Sequence, residues 1–595
     1  MKKVAVMRAE TNGRSAQFAF VNGRTITLIT IILLGLAGYW LAPDDLTPGS
    51  YEVSFQVTLP DGSPLTARDT FTLGQEQVEL TTTTTPAGAY TVIVEAPTTV
   101  AHRLEQRLVY HLQVVDGSSQ SVPLALDDAT SLITGPDTYR QTVPPTEANN
   151  GRLTFAIRLP YKADIALALL LVVAGLWLTE LIPLSAAALL IPVVAVVTGI
   201  TGETAVLAPF AHPIIMLFLA GFLMAQAMKQ TGLDRWLALT ILSRSSLKPA
   251  FLMLTMMGLT AFLSMWMSNT ASVALVLPIV LAVSERMPEE IGRTAFRRAL
   301  VLSVAYAASI GGIGSAIGTP ANMLALTFLN QYTDSSLSFT DWFRYGLPLV
   351  TLMLPIIWLY LLFAFGVQLR QVGTAVSHDL YRRELGQLGP LTPAQRRLLL
   401  IFMLVVSLWL TEAWHGLPTT IVALAGALIL FWDGVINQQS LNQINWDALL
   451  TFGGGLAIGA ILVSTGVSDW IALQLAGLAS YPPLLVVFLV AALTLITGAF
   501  ISNTACAAML IPLAIPLAQF LRLDPRLLVM VIAIGSSIDF ALVVGTPPTM
   551  MAYATGLFSV KEIFRRGIIL DLIGLLLLSF GVTWVWRLLG AVTLP

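Results

Sequence analysis

The sequence predicts an all-α polytopic membrane protein with inverted repeats, two re-entrant hairpins and broken helices, interrupted near its start by an extracytoplasmic β-sandwich-like domain. Three observations predict it. Only 11% of the 595 residues are charged, whereas 56% are hydrophobic and the mean hydropathy is +0.78; soluble domains carry about 25% charge. Apolar runs of about twenty residues, each enough to cross a hydrocarbon core of about 30 Å, recur along the chain. Those runs fall into two series that carry the same motifs in the same order. The composition also excludes several function classes. A net charge of -2 argues against nucleic-acid binding, and the single Cys506 rules out a disulfide framework or a cysteine metal cluster. The five histidines are scattered and make no metal centre. No nucleophile-base pair or nucleotide loop is present, and the one glycine-rich run lacks the lysine of a phosphate-binding loop, so an enzyme is not expected.

Residues 1–24 carry Lys2, Lys3, Arg8, Arg14 and Arg24 against Glu10 alone, which predicts a cytoplasmic amino terminus and an outward first span over residues 25–41. A signal peptide is the competing reading of this short run. It lacks a small-x-small cleavage site, and Tyr39 and Trp40 suit an interfacial anchor. From residue 42 to 162 the composition turns to Thr, Asp, Gly and Pro with apolar residues at every second position, as in Tyr51, Val53, Phe55, Val57 and Leu59, then Leu153, Phe155, Ile157 and Leu159. Such alternation predicts half-buried strands. Turns at Asp61-Gly62, Ala87-Gly88 and Asp116-Gly117 divide them into a sandwich of about seven strands. His102 and His111 there have structural or surface roles.

Residues 163–395 and 396–595 are the two membrane repeats. Trp177-Leu178-Thr179-Glu180 returns as Trp409-Leu410-Thr411-Glu412, Gly232 and Trp236 as Gly466 and Trp470, and Ser268-Asn269-Thr270 as Ser502-Asn503-Thr504. Gly318-Thr319-Pro320 then returns as Gly545-Thr546-Pro547, and Phe343 with Gly346 as Phe564 with Gly567. Residues 249–284 and 482–521 are apolar stretches with a polar Ser-Asn-Thr in the middle, and read as hairpins that enter and leave on one side. Counted this way, the second Trp-Leu-Thr-Glu span is the fifth after the first, and an odd step inverts it. Inverted repeats place substrate and ion sites near the midplane of secondary transporters. The basic residues agree with the count: Lys229, Arg235, Arg244, Lys248, Arg286, Arg293, Arg297, Arg298, Arg370, Arg382, Arg383, Arg396, Arg397, Lys561, Arg565 and Arg566 all fall on the predicted cytoplasmic side. Arg344, Arg522, Arg526 and Arg587 fall on the other.

Polar groups at membrane depth need partners, and irregular backbone persists there only where it is packed in protein or lines a cavity. Two Ser-Asn-Thr tips therefore predict a shared polar site. The run from Ile310 to Pro320, with Gly311, Gly312, Gly314 and Gly318, predicts a helix broken in the membrane; the run from Gly535 to Pro548 is its counterpart. Half-helix amino termini offer N–H groups and a partial positive charge to an anion, while unwound carbonyls and hydroxyls suit a hard cation. Close packing by small residues is the alternative use of such sequence. Its appearance twice in register favours the site.

The paired Ser-Asn-Thr tips, Gly318-Thr319-Pro320-Ala321-Asn322 and Gly545-Thr546-Pro547-Pro548-Thr549 make this chain similar to the divalent anion/sodium symporter family, which carries dicarboxylates, citrate or sulfate. The resemblance covers residues 25–41 and 163–590. It implies a scaffold domain and a transport domain in each protomer of a homodimer, moving as an elevator. It implies one sodium site at Ser264, Ser268, Asn269 and Gly318, and a second at Ala499 or Ile501, Ser502, Asn503 and Pro547. Substrate carboxylates would meet Asn269, Thr270, Asn503 and Thr504, with Thr319 and Thr546 nearby. Two positions depart: Gly498 stands opposite Ser264, with Thr497 beside it, and Thr549 stands opposite Asn322.

Neither hairpin and neither break contains Lys, Arg or His. Helix termini supply only about half a charge each, so a bound dianion requires sodium ions, two or more by the resemblance, or protons. Asp539 is the one carboxylate between Arg526 and Lys561. It either couples a cation or proton to the second repeat or is a structural carboxyl bonded to the broken backbone. The expected function is sodium-coupled transport of a small divalent anion, a C4-dicarboxylate foremost, in a plasma or inner membrane with lipid as its surroundings. A sodium-independent dicarboxylate exchanger, a citrate or sulfate transporter, and a ligand sensor using the β-rich domain are the alternatives.

Overall fold

Proline starts many helices of this chain, because its fixed φ suits the first turn and its missing N–H is not needed there. Pro213, Pro249, Pro320, Pro393, Pro483, Pro525 and Pro547 each open a helix. The computed structural model describes residues 27–41, 162–243, 248–285, 293–367 except 334 and 336, and 386–593 except 544, together with nine strands between 50 and 157. The predicted cytoplasmic terminus 1–24, Arg244, Arg286, Arg370, Arg382, Arg383, His102 and His111 lie outside the described residues.

After α1 (Thr27–Leu41) come β1 Ser50–Thr58, β2 Pro64–Thr72, β3 Val78–Thr81, β4 Tyr90–Glu95, β5 Leu112–Asp116, β6 Ser121–Pro123, β7 Leu132–Gly135, β8 Thr138–Val143 and β9 Leu153–Ile157. They form a five-stranded sheet in the order β2-β1-β4-β8-β7 and a four-stranded sheet in the order β3-β9-β5-β6, with every pairing antiparallel. The expected fold class, with its sandwich of about seven strands, is thereby corrected. Nine strands make two separate ladders, and strands as short as β6 or β7 carry too few residues to show alternation. From residue 162 to 593 the described chain is helical and contains no strand.

The helices follow in two matching series. The first is α2 (Ala163–Thr179), α3 (Leu184–Val197), α4 (Pro213–Thr231), α5 (Leu233–Ser243), α6 (Pro249–Ser264), α7 (Asn269–Glu285), α8 (Arg293–Ile313), α9 (Pro320–Tyr332) and α10 (Trp342–Ala364). The second is α11 (Pro393–Leu410), α12 (Thr419–Trp432), α13 (Trp446–Ser464), α14 (Val467–Gln474), α15 (Pro483–Gly498), α16 (Asn503–Phe520), α17 (Pro525–Gly535), α18 (Pro547–Ala554) and α19 (Val560–Leu576). Local chemistry repeats with them. Trp177 and Trp409 are both fully buried and donate their indole N–H to the Leu184 and Thr419 carbonyls at 3.2 and 3.0 Å. Gly232 and Gly466 end α4 and α13 with φ of 67° and 74°, a left-handed turn that only glycine takes at no steric cost. Each then accepts at 3.0 Å from the amide of the tryptophan four residues on.

Among the described residues, seven helical segments are long and apolar enough to cross a membrane: Glu203–Thr231, Arg293–Ile313, Trp342–Ala364, Pro393–Leu410, Trp446–Ser464, Asn503–Phe520 and Val560–Leu588. Thr27–Leu41, expected above as the first span, Ala163–Thr179, which carries the first Trp-Leu-Thr, and Leu184–Val197 are shorter. Each has fewer than the 18 residues of the shortest of those seven. The chain divides into two compact units. One holds Met1–Leu207, Ala457–Ala479 and Pro516–Arg522; the other holds Ala208–Leu456, Ser480–Ile515 and Leu523–Pro595. The division does not follow the repeat boundary. The second unit contains the tips of both hairpins and both breaks.

Candidate functional site

Each Ser-Asn-Thr sits where a hairpin turns. In the first repeat α6 ends at Ser264 and α7 begins at Asn269, and the Ser268 hydroxyl accepts from the Ala271 amide at 3.3 Å. In the second, α15 ends at Gly498, α16 begins at Asn503, and Ser502 accepts from Ala505 at 3.2 Å. Serine is a strong cap because its oxygen satisfies an amide that the first turn leaves unpaired. Ser268 and Thr270 are exposed, and Asn269, Ser502, Asn503 and Thr504 are partly so. Ala499 caps α15 and Ile501 is buried in the turn.

The breaks lie beside the tips. Helix α8 stops at Ile313 and α9 starts at Pro320; α17 stops at Gly535 and α18 starts at Pro547. Thr319 and Thr546 precede the restarted helices with nearly identical backbones, φ -138° and ψ 148° against φ -133° and ψ 139°. Both are buried. The first break is laced to its hairpin. Ser315 donates to the Met265 carbonyl at the tip. A Cβ on Gly312 would run into Asn269 Oδ1, and one on Gly318 into the Gly312 carbonyl, so both positions need glycine. In the second repeat Asn503 donates to the Ser537 hydroxyl at 3.3 Å. The two breaks also meet: α18 packs on α7 and α8, and α9 packs on α17. Tyr306 of α8 donates to the Phe540 carbonyl at 3.0 Å inside the second break.

Oxygen atoms crowd the first tip. The Ser264 hydroxyl lies 2.6 Å from Asn269 Oδ1 and 2.7 Å from the Ala308 carbonyl oxygen. Both neighbours accept, and a hydroxyl has one proton to donate. The cluster therefore has more lone pairs than protons, a donor set that suits a hard cation. Gly498, at the matching position, offers no hydroxyl and packs against Ser536. Among the described residues no group of three His, Cys, Asp or Glu side chains is placed to hold a metal ion.

Asn322 and Asp571 hold the breaks open in shape, and sequence reading gave neither a role in the site. The Asn322 amide donates to the Gly312 and Ser315 carbonyls at 2.9 and 2.7 Å, spanning the first break. Thr549 in its place reaches only Thr546, hydroxyl to hydroxyl at 2.9 Å. The second break is longer, residues 536–546 against 314–319, and a carboxylate secures it. Asp571 of α19 accepts from the Phe540 and Ala541 amides at 2.8 and 3.0 Å. A lone acid within the apolar run 567–582 was the available signal. Asp539 is buried at 1% exposure beside Gly545; neither of its oxygens has a side-chain partner, and only the Leu542 amide of its own loop is nearby. His212 and His415, at helix ends, make backbone hydrogen bonds to Ile214 and to Leu408 and Leu417.

Helices of spanning length together with paired hairpins and paired half-helices define an integral membrane transporter. The chain belongs to the sodium:sulfate symporter family, whose transmembrane region matches residues 153–592. It is similar to the sodium-dependent dicarboxylate transporter SdcS of Staphylococcus saprophyticus, at 30% identity over 71% of this chain and 86% of the relative. SdcS of Staphylococcus aureus NCTC 8325 is 31% identical over 72% and 86% of the two chains. An uncharacterized transporter of Haemophilus influenzae is 34% identical over 70% and 90%. Among solved structures, the Alcanivorax borkumensis YdaH transporter aligns at TM-score 0.47 and 15% identity over 65% of this chain and 88% of its own, a likeness too remote to establish a shared fold.

Proposed function

We propose that this protein imports a small divalent anion, a C4-dicarboxylate foremost, driven by sodium. The observation that carries the reading is a pair of polar hairpin tips, each joined to its own helix break, in a region without a single Lys, Arg or His. The amino termini of α7, α9, α16 and α18 begin at or beside these tips and breaks. Such termini attract carboxylates, with about half a positive charge apiece at most. Cations must supply the rest. Ser264, Ser268, Asn269 and the Gly318 carbonyl are the proposed oxygens of one sodium site; Ala499 or Ile501, Ser502, Asn503 and Pro547 are those of the other. Asn269, Thr270, Asn503 and Thr504 hydrogen-bond the substrate carboxylates, with Thr319 and Thr546 beneath. Bound sodium supplies the positive potential that makes a dianion tolerable at this depth.

The names of the staphylococcal relatives support sodium dependence and a dicarboxylate. The proposal extends to an elevator movement of the hairpin-bearing part within a homodimer, with the two repeats inverted across the membrane. Uptake of radiolabelled succinate into empty proteoliposomes under an inward sodium gradient tests it. Accumulation that collapses when choline replaces sodium is expected, with unlabelled citrate and sulfate competing more weakly than succinate. Uptake that needs internal dicarboxylate and ignores sodium would assign an exchanger instead.

A further inference from the structure

The two breaks differ, and the difference leaves one carboxylate without a cationic partner. Counting back from the shared Gly-Thr-Pro sets Asp539 opposite Gly312 and Phe540 opposite Ile313. Packing gives the same register: a Cβ on Gly346 would strike the Ile313 carbonyl, and one on its counterpart Gly567 would strike the Phe540 carbonyl. At Gly312 the space where a side chain would start is taken by the Asn269 carbonyl oxygen and the Thr319 methyl, that is, by the hairpin tip and the start of the half-helix. Asp539 has a side chain at that place. Its carboxylate lies so close to Gly545 that a Cβ there could not fit.

Two acids at one break are used differently. Asp571 commits both oxygens to backbone amides. Asp539 is the more deeply buried of the two and has no side-chain partner on either oxygen, with only the Leu542 amide of its own loop nearby. A charge buried without a partner is strongly destabilising, and membrane depth offers no water to soften it. The hairpins and breaks hold no cationic side chain, and Asp571 is itself an acid. A backbone amide cannot neutralise the charge, so a cationic partner must come from solution. The second repeat is also short of donors, with Gly498 in place of Ser264 and Thr549 in place of Asn322. A carboxylate restores an oxygen and adds a formal charge.

We propose that the Asp539 carboxylate is the anionic ligand of a sodium site in the second repeat, and that Asp571 is a positioning residue holding the unwound Phe540–Ala541 backbone so that this carboxylate faces the site. The inference rests on the sodium-coupled reading above. It makes the two sites unequal. The site at Ser264 and Asn269 is built of neutral oxygens and gains from a bound dianion. The site at Asp539 carries its own negative charge and fills with sodium before substrate arrives.

Direct binding of radioactive sodium to the purified full-length protein in lipid nanodiscs, without substrate, tests this. In the wild type a saturable component is expected. Asp539→Asn abolishes that component. Asp571→Asn weakens it by about tenfold or more, equivalent to about 1.4 kcal/mol, and Asp571→Glu restores part of the loss; a lower Tm with unchanged half-saturation would make Asp571 structural only. Asp539→Asn that elutes and melts like the wild type and binds as much sodium at the same half-saturation overturns the proposal. Should that variant fail to fold, Asp539→Glu decides: a shift of about tenfold in sodium affinity supports a direct ligand, and an unchanged affinity overturns it. A wild type that binds no sodium under any condition removes the sodium-coupled reading as well, so the two failures are told apart.

Discussion

Asn322 and Thr549 occupy the same position after Gly-Thr-Pro and do different work. The asparagine amide ties two carbonyls of the first break, Gly312 and Ser315, that otherwise face a region without water. The threonine closes only onto its neighbour Thr546. Asn322→Ala should therefore cost about 1–3 kcal/mol, the penalty for stranding buried acceptors, read as a fall in detergent Tm together with a loss of sodium-dependent uptake. Thr549→Ala should cost less than half as much, because the hydroxyl pair it breaks leaves no backbone carbonyl unpaired. Equal losses would mean that the second break relies on Thr549 and that the Asp571 cap is incidental.

At the scale of elements, the turns that end α4 and α13 carry a paired constraint. Gly232 and Gly466 hold φ of 67° and 74°, and each carbonyl accepts from the following tryptophan amide. Nothing crowds the space beside Gly232, so an added methyl group meets only the backbone cost of the left-handed conformation. Gly232→Ala should lower stability by about 1–2 kcal/mol, measurable as a shift in thermal unfolding with little change in substrate affinity. Gly311 is the contrast. A Cβ there would collide with the Ala261 backbone of α6, so Gly311→Ala should prise the first hairpin from α8 and abolish uptake. Retained transport by that variant would mean the hairpin is not held rigidly on the broken helix.

For the whole molecule, the proposed inversion of the two repeats has a chemical test. Cys506 is the only cysteine and is fully buried, so the native protein is a quiet background for labelling. Helices α5 and α14 are counterparts in the two series, and the proposed inversion would set them at opposite membrane faces. Ser243→Cys and Gln474→Cys, made singly, should react with a membrane-impermeant maleimide from opposite sides of oriented vesicles. Labelling of both from one side would make the repeats parallel and place the two hairpins on a common face. In the same background Thr270→Cys, at an exposed tip position, should be labelled and then protected by sodium with succinate.

The sequence by itself determined the membrane setting, the two matching series of helices, and the positions of both tips and both breaks. These are written in local chemistry: apolar run length, proline at helix starts, serine caps, and glycine where backbone meets backbone. Helix ends observed at Ser264 and Gly498 lie beside the predicted tips, and those at Ile313 and Gly535 lie at the predicted breaks, for that reason. The number and pairing of strands between 50 and 157 needed the structure, since hydrogen-bond partners far apart along the chain leave no mark in a run of three or four residues. So did the roles of Asn322 and Asp571. Each acts on backbone atoms that only folding brings within reach, Asp571 at a separation of about thirty residues, and a lone polar residue in an apolar run looks the same whether it braces a helix or binds an ion. That Asp539 is buried without a side-chain partner while Asp571 holds two backbone amides follows from the path of the unwound chain between α17 and α18, which tertiary packing alone sets.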